Sequence, residues 1–426
     1  MGRSGGKRVR ERGPGGRAGP APGIPAAGGR AAAGFRVVVW GRADNPRPPP
    51  PVSVVRHQAR RRWLVVACGV ALLCGLPAIV AALPVPSSSL TAAALRARIL
   101  ASADVPYQGY AESSVDLGLP DLPDLGDVST LLDGITDQEA WYRSPAHWRA
   151  DVLTSAGETD TYQTSHGTFV WDYSSNLLTQ IIGSEPVRLP RAADLLPPDL
   201  ARRLLGYASP ADRLSRLPSQ RVAGVAAAGL RLVPADPATT VGAVDIWADP
   251  ATGLPVEVAV TGRGSSQPIL VARFLDLSER RPSLATVTPN PAPGTGFTTT
   301  VLPDVSGILN GFGPLLPARI AGMSRVAAPG GLADVAAYGT GFSRFAVLPL
   351  PYGVGQRALN AADDAGAGGV SLSGGTGALI QTPLLTVLLA QAVSGGPVYL
   401  LTGTVTAALL VRAASDLLNI AQQEQP

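Results

Sequence analysis

The sequence predicts a mostly antiparallel α+β protein: a curved sheet with covering helices, then a smaller α+β domain, preceded by one transmembrane helix. Three observations carry this. Trp63–Leu83 is apolar and has no charged residue; as a helix it spans about 30 Å, the hydrocarbon thickness of a bilayer. Residues 105–182 and 220–277 break into short apolar or aromatic runs separated by turn residues, as in an antiparallel meander. Residues 279–297, rich in Pro and Thr, read as a linker to a second strand-bearing segment that ends in a helix.

The apolar segment divides the charge. Residues 1–62 hold fourteen Lys/Arg and two Asp/Glu, a net of +12, while residues 63–426 hold twenty-one and twenty-nine, a net of −8. Positive charge resists translocation, so the arm is expected in the cytoplasm and the large acidic part outside, with one pass between them. The arm is Gly/Pro/Arg-rich and is expected to be disordered, with Arg60, Arg61 and Arg62 against anionic head groups. Val80-Ala81-Ala82 also fits a signal-cleavage site, so a cleaved segment is the alternative to an anchor. The acidic outer part excludes nucleic acid as an expected partner. Both cysteines, Cys68 and Cys74, lie inside the apolar segment, so the outer domains are expected to be stable without disulfides.

Along the outer part, Thr91 is placed to cap a helix through Leu95, Ile99 and Leu100. Strands are expected at Val105–Ser114, Ile135–Arg143, Trp148–Thr154, Asp160–Thr164, Thr168–Tyr173 and Leu177–Ile182. In Thr168–Tyr173 the alternation puts Phe169, Trp171 and Tyr173 on one face. Helical interruptions are expected near Asp127–Leu132 and Pro198–Leu205, followed by strands at Gln220–Val233, Val241–Ala248, Leu254–Thr261 and Ile269–Leu277. The expected domains are 90–278 and 298–426. The second has strands at Val335–Tyr338, Ser343–Leu348 and Val398–Gly403, a helix at Gln356–Ala362 and a last helix from about Thr406 to Ile420.

Several chemistries lack their residues. The only lysine, Lys7, is in the arm, so Gly366–Gly377 reads as a flexible surface loop rather than a phosphate cradle. Schiff-base chemistry, thiol catalysis and a Gly-x-Ser-x-Gly elbow are excluded in the outer part. His147 and His166 sit at turns without carboxylates at helical spacing, and read as polar turn residues rather than metal ligands or bases. Neither a cofactor, a metal site nor an enzymatic activity is expected. The aromatics are more telling. Tyr107, Tyr110, Trp141, Trp148, Phe169, Trp171 and Trp247, with Arg143 beside Trp141, are the ligand-binding candidates: on a curved sheet they either line a concave cavity or fill a core under covering helices.

Arg143-Ser-Pro145-Ala-His-Trp148-Arg149, then Gly167 in a turn, then Phe169-Val-Trp171-Asp-Tyr173, resembles the lipoprotein carrier LolA family. Asp245-Ile-Trp247-Ala-Asp249-Pro-Ala-Thr-Gly253-Leu-Pro255 is similar to the strand–turn–strand of these half-barrels. Tyr399-Leu-Leu-Thr-Gly403-Thr-Val-Thr, leading into the helix with Ala413-Ala414, is similar to the end of the sigma-E regulators of the RseB/MucB type, in particular membrane-tethered actinobacterial ones. The resemblance implies a LolA-like half-barrel joined to an RseB-like C-terminal domain. It implies a non-enzymatic regulator of envelope stress that binds a membrane anti-sigma factor or similar signalling protein and responds to a lipid or lipoprotein. A lipid or lipoprotein carrier of the LolA type is the rival, and a cell-wall scaffold a third reading. The long arm and the anchor depart from the family, whose members are soluble and exported.

Overall fold

A computed structural model describes residues 60–72, 84–118, 131–154, 157–182, 191–301, 316–326 and 336–423. The chain divides into two units, Met1–Cys74 and Gly75–Pro426. In the first, residues 60–72 are helical, and Trp63, Leu64, Val65 and Leu72 are exposed. No helix among the described residues is long and apolar enough to cross a membrane. The arm up to residue 59 and residues 73–83, half of the expected span, lie outside the described residues.

The second unit is α+β and mostly antiparallel. It opens with helix Ala92–Leu100, where Thr91 Oγ1 accepts from the Ala94 N–H at 3.1 Å, so the expected cap is the cap found. Six antiparallel strands follow: β1 (Tyr107–Asp116), β2 (Asp133–Ser144), β3 (His147–Thr154), β4 (Gly157–Thr164), β5 (Gly167–Asp172) and β6 (Leu177–Ile182). Helix Pro197–Gly206 comes next; of the other expected interruption, only residues 131 and 132 are described, and they are helical. Five more strands complete the meander: β7 (Arg213–Val222), β8 (Val225–Val233), β9 (Val241–Ala248), β10 (Pro255–Gly262) and β11 (Pro268–Ser278).

Gln220–Val233, expected as one strand, is split. Ala223 and Gly224 both take positive φ, 45° and 81°, which turns the chain in a two-residue hairpin between β7 and β8. After β11 the chain does not stay a linker up to residue 297. Gly296–Val301 forms β12, which pairs in parallel with β6 at the far side of the same sheet. The resulting order in this twelve-stranded sheet is β12-β6-β5-β4-β3-β2-β1-β11-β10-β9-β8-β7.

One face of this sheet is covered. Leu95 and Ile99 from the first helix, and Leu200, Ala201 and Leu205 from the second, pack in one apolar core with Leu230, Val244, Ile246, Val258 and Ala272. Each helix presents its apolar positions at three- to four-residue spacing, so burial of one stripe holds it on the sheet.

The C-terminal sheet has eight strands: β13 (Arg319–Ile320), β14 (Met323–Val326), β15 (Ala336–Thr340), β16 (Ser343–Leu350), β17 (Gly368–Leu372), β18 (Gly375–Gln381), β19 (Thr386–Ala392) and β20 (Val398–Gly403), in the order β13-β14-β15-β16-β20-β19-β18-β17. Helix Tyr352–Asp364 lies between β16 and β17. Gly366–Gly377, expected as a flexible loop, instead carries most of the β17–β18 hairpin, turned at Gly374 (φ 89°). The terminal helix Ala407–Gln423 buries Leu409, Leu410, Ala413, Ala414, Leu417 and Leu418 against this sheet.

Threonines join the two sheets. Thr239, fully buried, donates from Oγ1 to the carbonyls of Thr404 (2.8 Å) and Phe342 (3.1 Å), and the Thr240 hydroxyl donates to Leu384 O (2.6 Å). These hydroxyls satisfy carbonyls that the sheet ladders leave open, which is the condition for burying them.

Candidate functional site

Period-two alternation and strand register decide what each side chain of β1–β3 meets. Tyr107 pairs with Tyr142, and Tyr142 with Trp148, so these three share the covered face. The Tyr107 and Tyr142 rings stack at 5.1 Å and 6°, and Phe274 meets Tyr107 edge-on at 5.5 Å. Tyr142 donates its hydroxyl to Ala103 O at 2.6 Å, which ties β2 to the turn after the first helix. Tyr107, Tyr142 and Trp148, with Ala193, Leu196 and Asp199 from the covering segment, line a recess of about 10 Å³, room for roughly one water molecule, that opens to solvent. That is far below the size of a small-molecule pocket, so nothing larger than a water fits there unless the helical cover shifts. Burial raises the Tyr107 hydroxyl well above its ordinary pKa and pushes Tyr142 up to about 12, so both stay neutral donors and not nucleophiles.

The adjacent positions, Trp141 and Arg149, are register partners on the opposite face. There the Arg149 guanidinium lies 4.9 Å from the Trp141 ring centre and 5.1 Å from that of Tyr162. It donates from Nε to Asp151 Oδ1 (2.6 Å) and from Nη2 to Asp160 Oδ2 (2.8 Å), and lies 3.7 Å from Glu158 Oε1. The Tyr162 hydroxyl donates to the same Asp160 oxygen at 2.9 Å. Asp160 is fully buried and Asp151 nearly so, and the two stand directly opposite on β3 and β4.

Three carboxylates thus surround one guanidinium. Burial pushes Asp151 up to about 8; the Arg149 bond opposes the rise and the Asp160 charge adds to it. Burial works against the charge on Arg149, but the Asp151 bond and the other carboxylates outweigh it and raise its pKa. The carboxylate oxygens of Asp151, Glu158 and Asp160 lie within 4.8 Å of one another, the spacing of a metal site. Arg149 already stands among them as their cation, so the arrangement is an ion-pair network.

The eight candidates therefore do not line one cavity. Tyr107 and Trp148 reach the recess. Trp141 closes over Arg149, while Phe169 and Trp171 pack with Tyr162 and Leu178 on that same opposite face. Tyr110 also lies on the opposite side of β1 from Tyr107. Arg143 donates to Pro282 O at 2.7 Å and so holds the segment after β11. Trp247 donates its indole N–H to Pro218 O at 3.1 Å, beside the register shift in β7. Neighbours such as 141/142 and 148/149 cannot share a face of a strand, and the register that sorts them depends on the turn at Ser144–His147, where the β2–β3 pairing shifts. Phe274, which completes the stack, comes from a strand more than a hundred residues away, and local pattern gives no signal for it. His147 and His166 each lie near a serine hydroxyl, Ser144 at 3.4 Å and Ser165 at 3.3 Å.

No family model matches the chain, and no curated protein does. Among solved structures, the chain is similar to that of the Pseudomonas aeruginosa MucA/MucB complex, at 17% identity and a TM-score of 0.44, over 76% of this chain and 97% of that one. It is similar to MucB alone at 17% identity and a TM-score of 0.38, over 75% and 95%. A LolA-superfamily protein from Nitrosomonas europaea is similar at 12% identity and a TM-score of 0.23, over 47% of this chain and 99% of that one.

Proposed function

We propose that the chain is an extracytoplasmic regulator, held to the membrane through residues 63–83, that binds a membrane anti-sigma factor or similar signalling protein and responds to a lipid or lipoprotein. The observation that carries this reading is the aromatic recess of Tyr107, Tyr142 and Trp148 beneath a helical cover. It is apolar, edged by the carboxylate of Asp199, and small enough that filling it moves the cover, so occupancy is coupled to shape. The motifs Arg143–Arg149 and Phe169–Tyr173, and the order of the two domains, support the same reading. Recognition rather than catalysis is supported by the tyrosine hydroxyls' raised pKa values and by Arg149 filling the acidic cluster. The same recess supports a lipid carrier as the second reading; a retained anchor argues for regulation, since a carrier must leave the membrane.

Affinity capture of the full chain from native membranes, read by mass spectrometry, tests the proposal. Co-recovery of a single-pass protein with an anti-sigma domain, lost when an acyl lipid is added, is the expected result. Recovery of acyl species with no signalling protein favours the carrier, and recovery of neither removes both readings.

A further inference from the structure

On the covered face, β1, β2 and β3 set three rows side by side. The first is aromatic, with Tyr107, Tyr142 and Trp148. The second is small, with Gly109, Ala140 and Ala150, and the third holds Ala111, Gln138 and Val152. Same-face residues follow one another at about 7 Å along a strand, so Gln138 starts about 7 Å from Ala140 and about 14 Å from Tyr142. Gln138 is fully buried, yet among the described residues neither Nε2 nor Oε1 of its amide has a hydrogen-bond partner. A buried amide is ordinarily bonded, and leaving both of its ends unmade costs stability. The row beside it is buried without a large side chain: Ala140 and Ala150 are each 1% exposed. Ala193 and Leu196 of the cover meet Ala140 in the recess that Tyr107, Tyr142 and Trp148 line. A shifted cover therefore opens a groove with a small-residue floor, an aromatic wall on one side and an amide lacking both partners on the other.

We propose that this groove takes an N-acylated amide, and that Gln138 is the residue that selects it. The inference rests on the reading of the recess as responsive to a lipid or lipoprotein, and narrows the ligand. The Gln138 side chain presents a donor and an acceptor together. An ester supplies acceptors only and leaves Oε1 unpaired. An N-acylated residue in extended form turns its N–H and its C=O to the same side, as residues do in an antiparallel ladder. Its N–H donates to Oε1 and its C=O accepts from Nε2, so both ends of the buried amide are satisfied. The acyl chain then runs over Ala140 to Tyr107, Tyr142 and Trp148, where its apolar area leaves water. Only a ligand with both polar groups relieves the bare amide, which is how a buried polar residue discriminates between otherwise similar ligands.

Titration calorimetry of the full chain with three probes tests this. N-decanoyl-glycinamide is expected to bind about tenfold tighter than decanoyl-glycolamide, its ester counterpart without the N–H. N-acetyl-glycinamide keeps both polar groups but lacks the chain, and is expected to bind more than about a hundredfold more weakly than the decanoyl amide. Gln138→Leu is expected to bind the decanoyl amide and ester alike, and to unfold at a higher urea concentration because the unpaired amide is gone. A natural chain that binds amide and ester equally overturns the proposal and leaves the lipid-responsive recess standing, whereas a chain that binds neither removes both. A Gln138→Leu chain that keeps the preference overturns it too, as does one of lowered stability, which assigns the amide a structural bond instead. An acetyl probe as tight as the decanoyl one gives the groove to a peptide backbone and also overturns it.

Discussion

On one face of the twelve-stranded sheet, Tyr107, Tyr142 and Phe274 stack under a helical cover; on the other, Trp141 and Tyr162 flank the Arg149 guanidinium and its carboxylates. The same two strands supply both. Trp141 and Tyr142 are neighbours, as are Trp148 and Arg149, yet each pair divides between the faces. The covered face is held by apolar contact and leaves a recess that opens to solvent. The opposite face is held by charge, with an acid pair that a single arginine must compensate. The first can yield to a ligand at the expense of packing alone; the second cannot open without exposing an unbalanced buried charge.

The largest break in this contrast comes from Arg149→Leu. It leaves Asp160, fully buried, and Asp151 without their cation, and is expected to lower stability by about 3–5 kcal/mol in urea unfolding. Adding Asp151→Asn to that variant is expected to change the loss little, since Asp151 already keeps its proton below about pH 8 and the buried Asp160 stays without its cation.

A pH series sharpens the same face. Asp151 has a folded pKa raised to about 8, against about 3.9 when unfolded. Below about 4 both states hold the proton and the contribution is fully present; between about 4 and 8 only the folded state keeps it, so stability is lost as pH rises. The stability difference between the natural chain and Asp151→Asn is therefore expected to fall from pH 4 to pH 8. A difference that stays flat over this range means that Arg149 dominates and Asp151 is ionised in both states throughout.

On the covered face, Tyr142→Phe removes the bond to Ala103 O but keeps the ring stack. It is expected to cost about 1 kcal/mol and to loosen the first helix, read as faster amide exchange in Ala92–Leu100. Smallest is Arg273→Ala, which breaks the half-exposed pair with Glu112 at 2.9 Å and is expected to change stability by less than about 1 kcal/mol.

Alternation within single strands is legible from residue types, which is why Phe169, Trp171 and Tyr173 fall on one face in the sequence and in the fold. Strand-to-strand register is not, because it depends on turn geometry such as the shift after Tyr142. The Thr91 cap and the helix Pro197–Gly206 are legible because capping and apolar spacing are local. The Ala223-Gly224 hairpin is hidden by a positive φ on an alanine, where residue type argues against a turn. The parallel pairing of β12 with β6 joins segments more than a hundred residues apart, and nothing within Gly296–Val301 names its partner. The Arg149 network is partly legible, since Arg149 and Asp151, like Glu158 and Asp160, stand two apart and so share a face of their strand, but only register brings them together.

The difference between the faces predicts where a ligand enters, and site-specific photo-crosslinking in membranes tests it most directly. A photoreactive aromatic residue at position 148 is expected to form an adduct with an acyl lipid or a partner segment, and the same residue at position 141, on the opposite face, is expected to form none. Adducts from position 141 alone, or from neither position, would contradict the account.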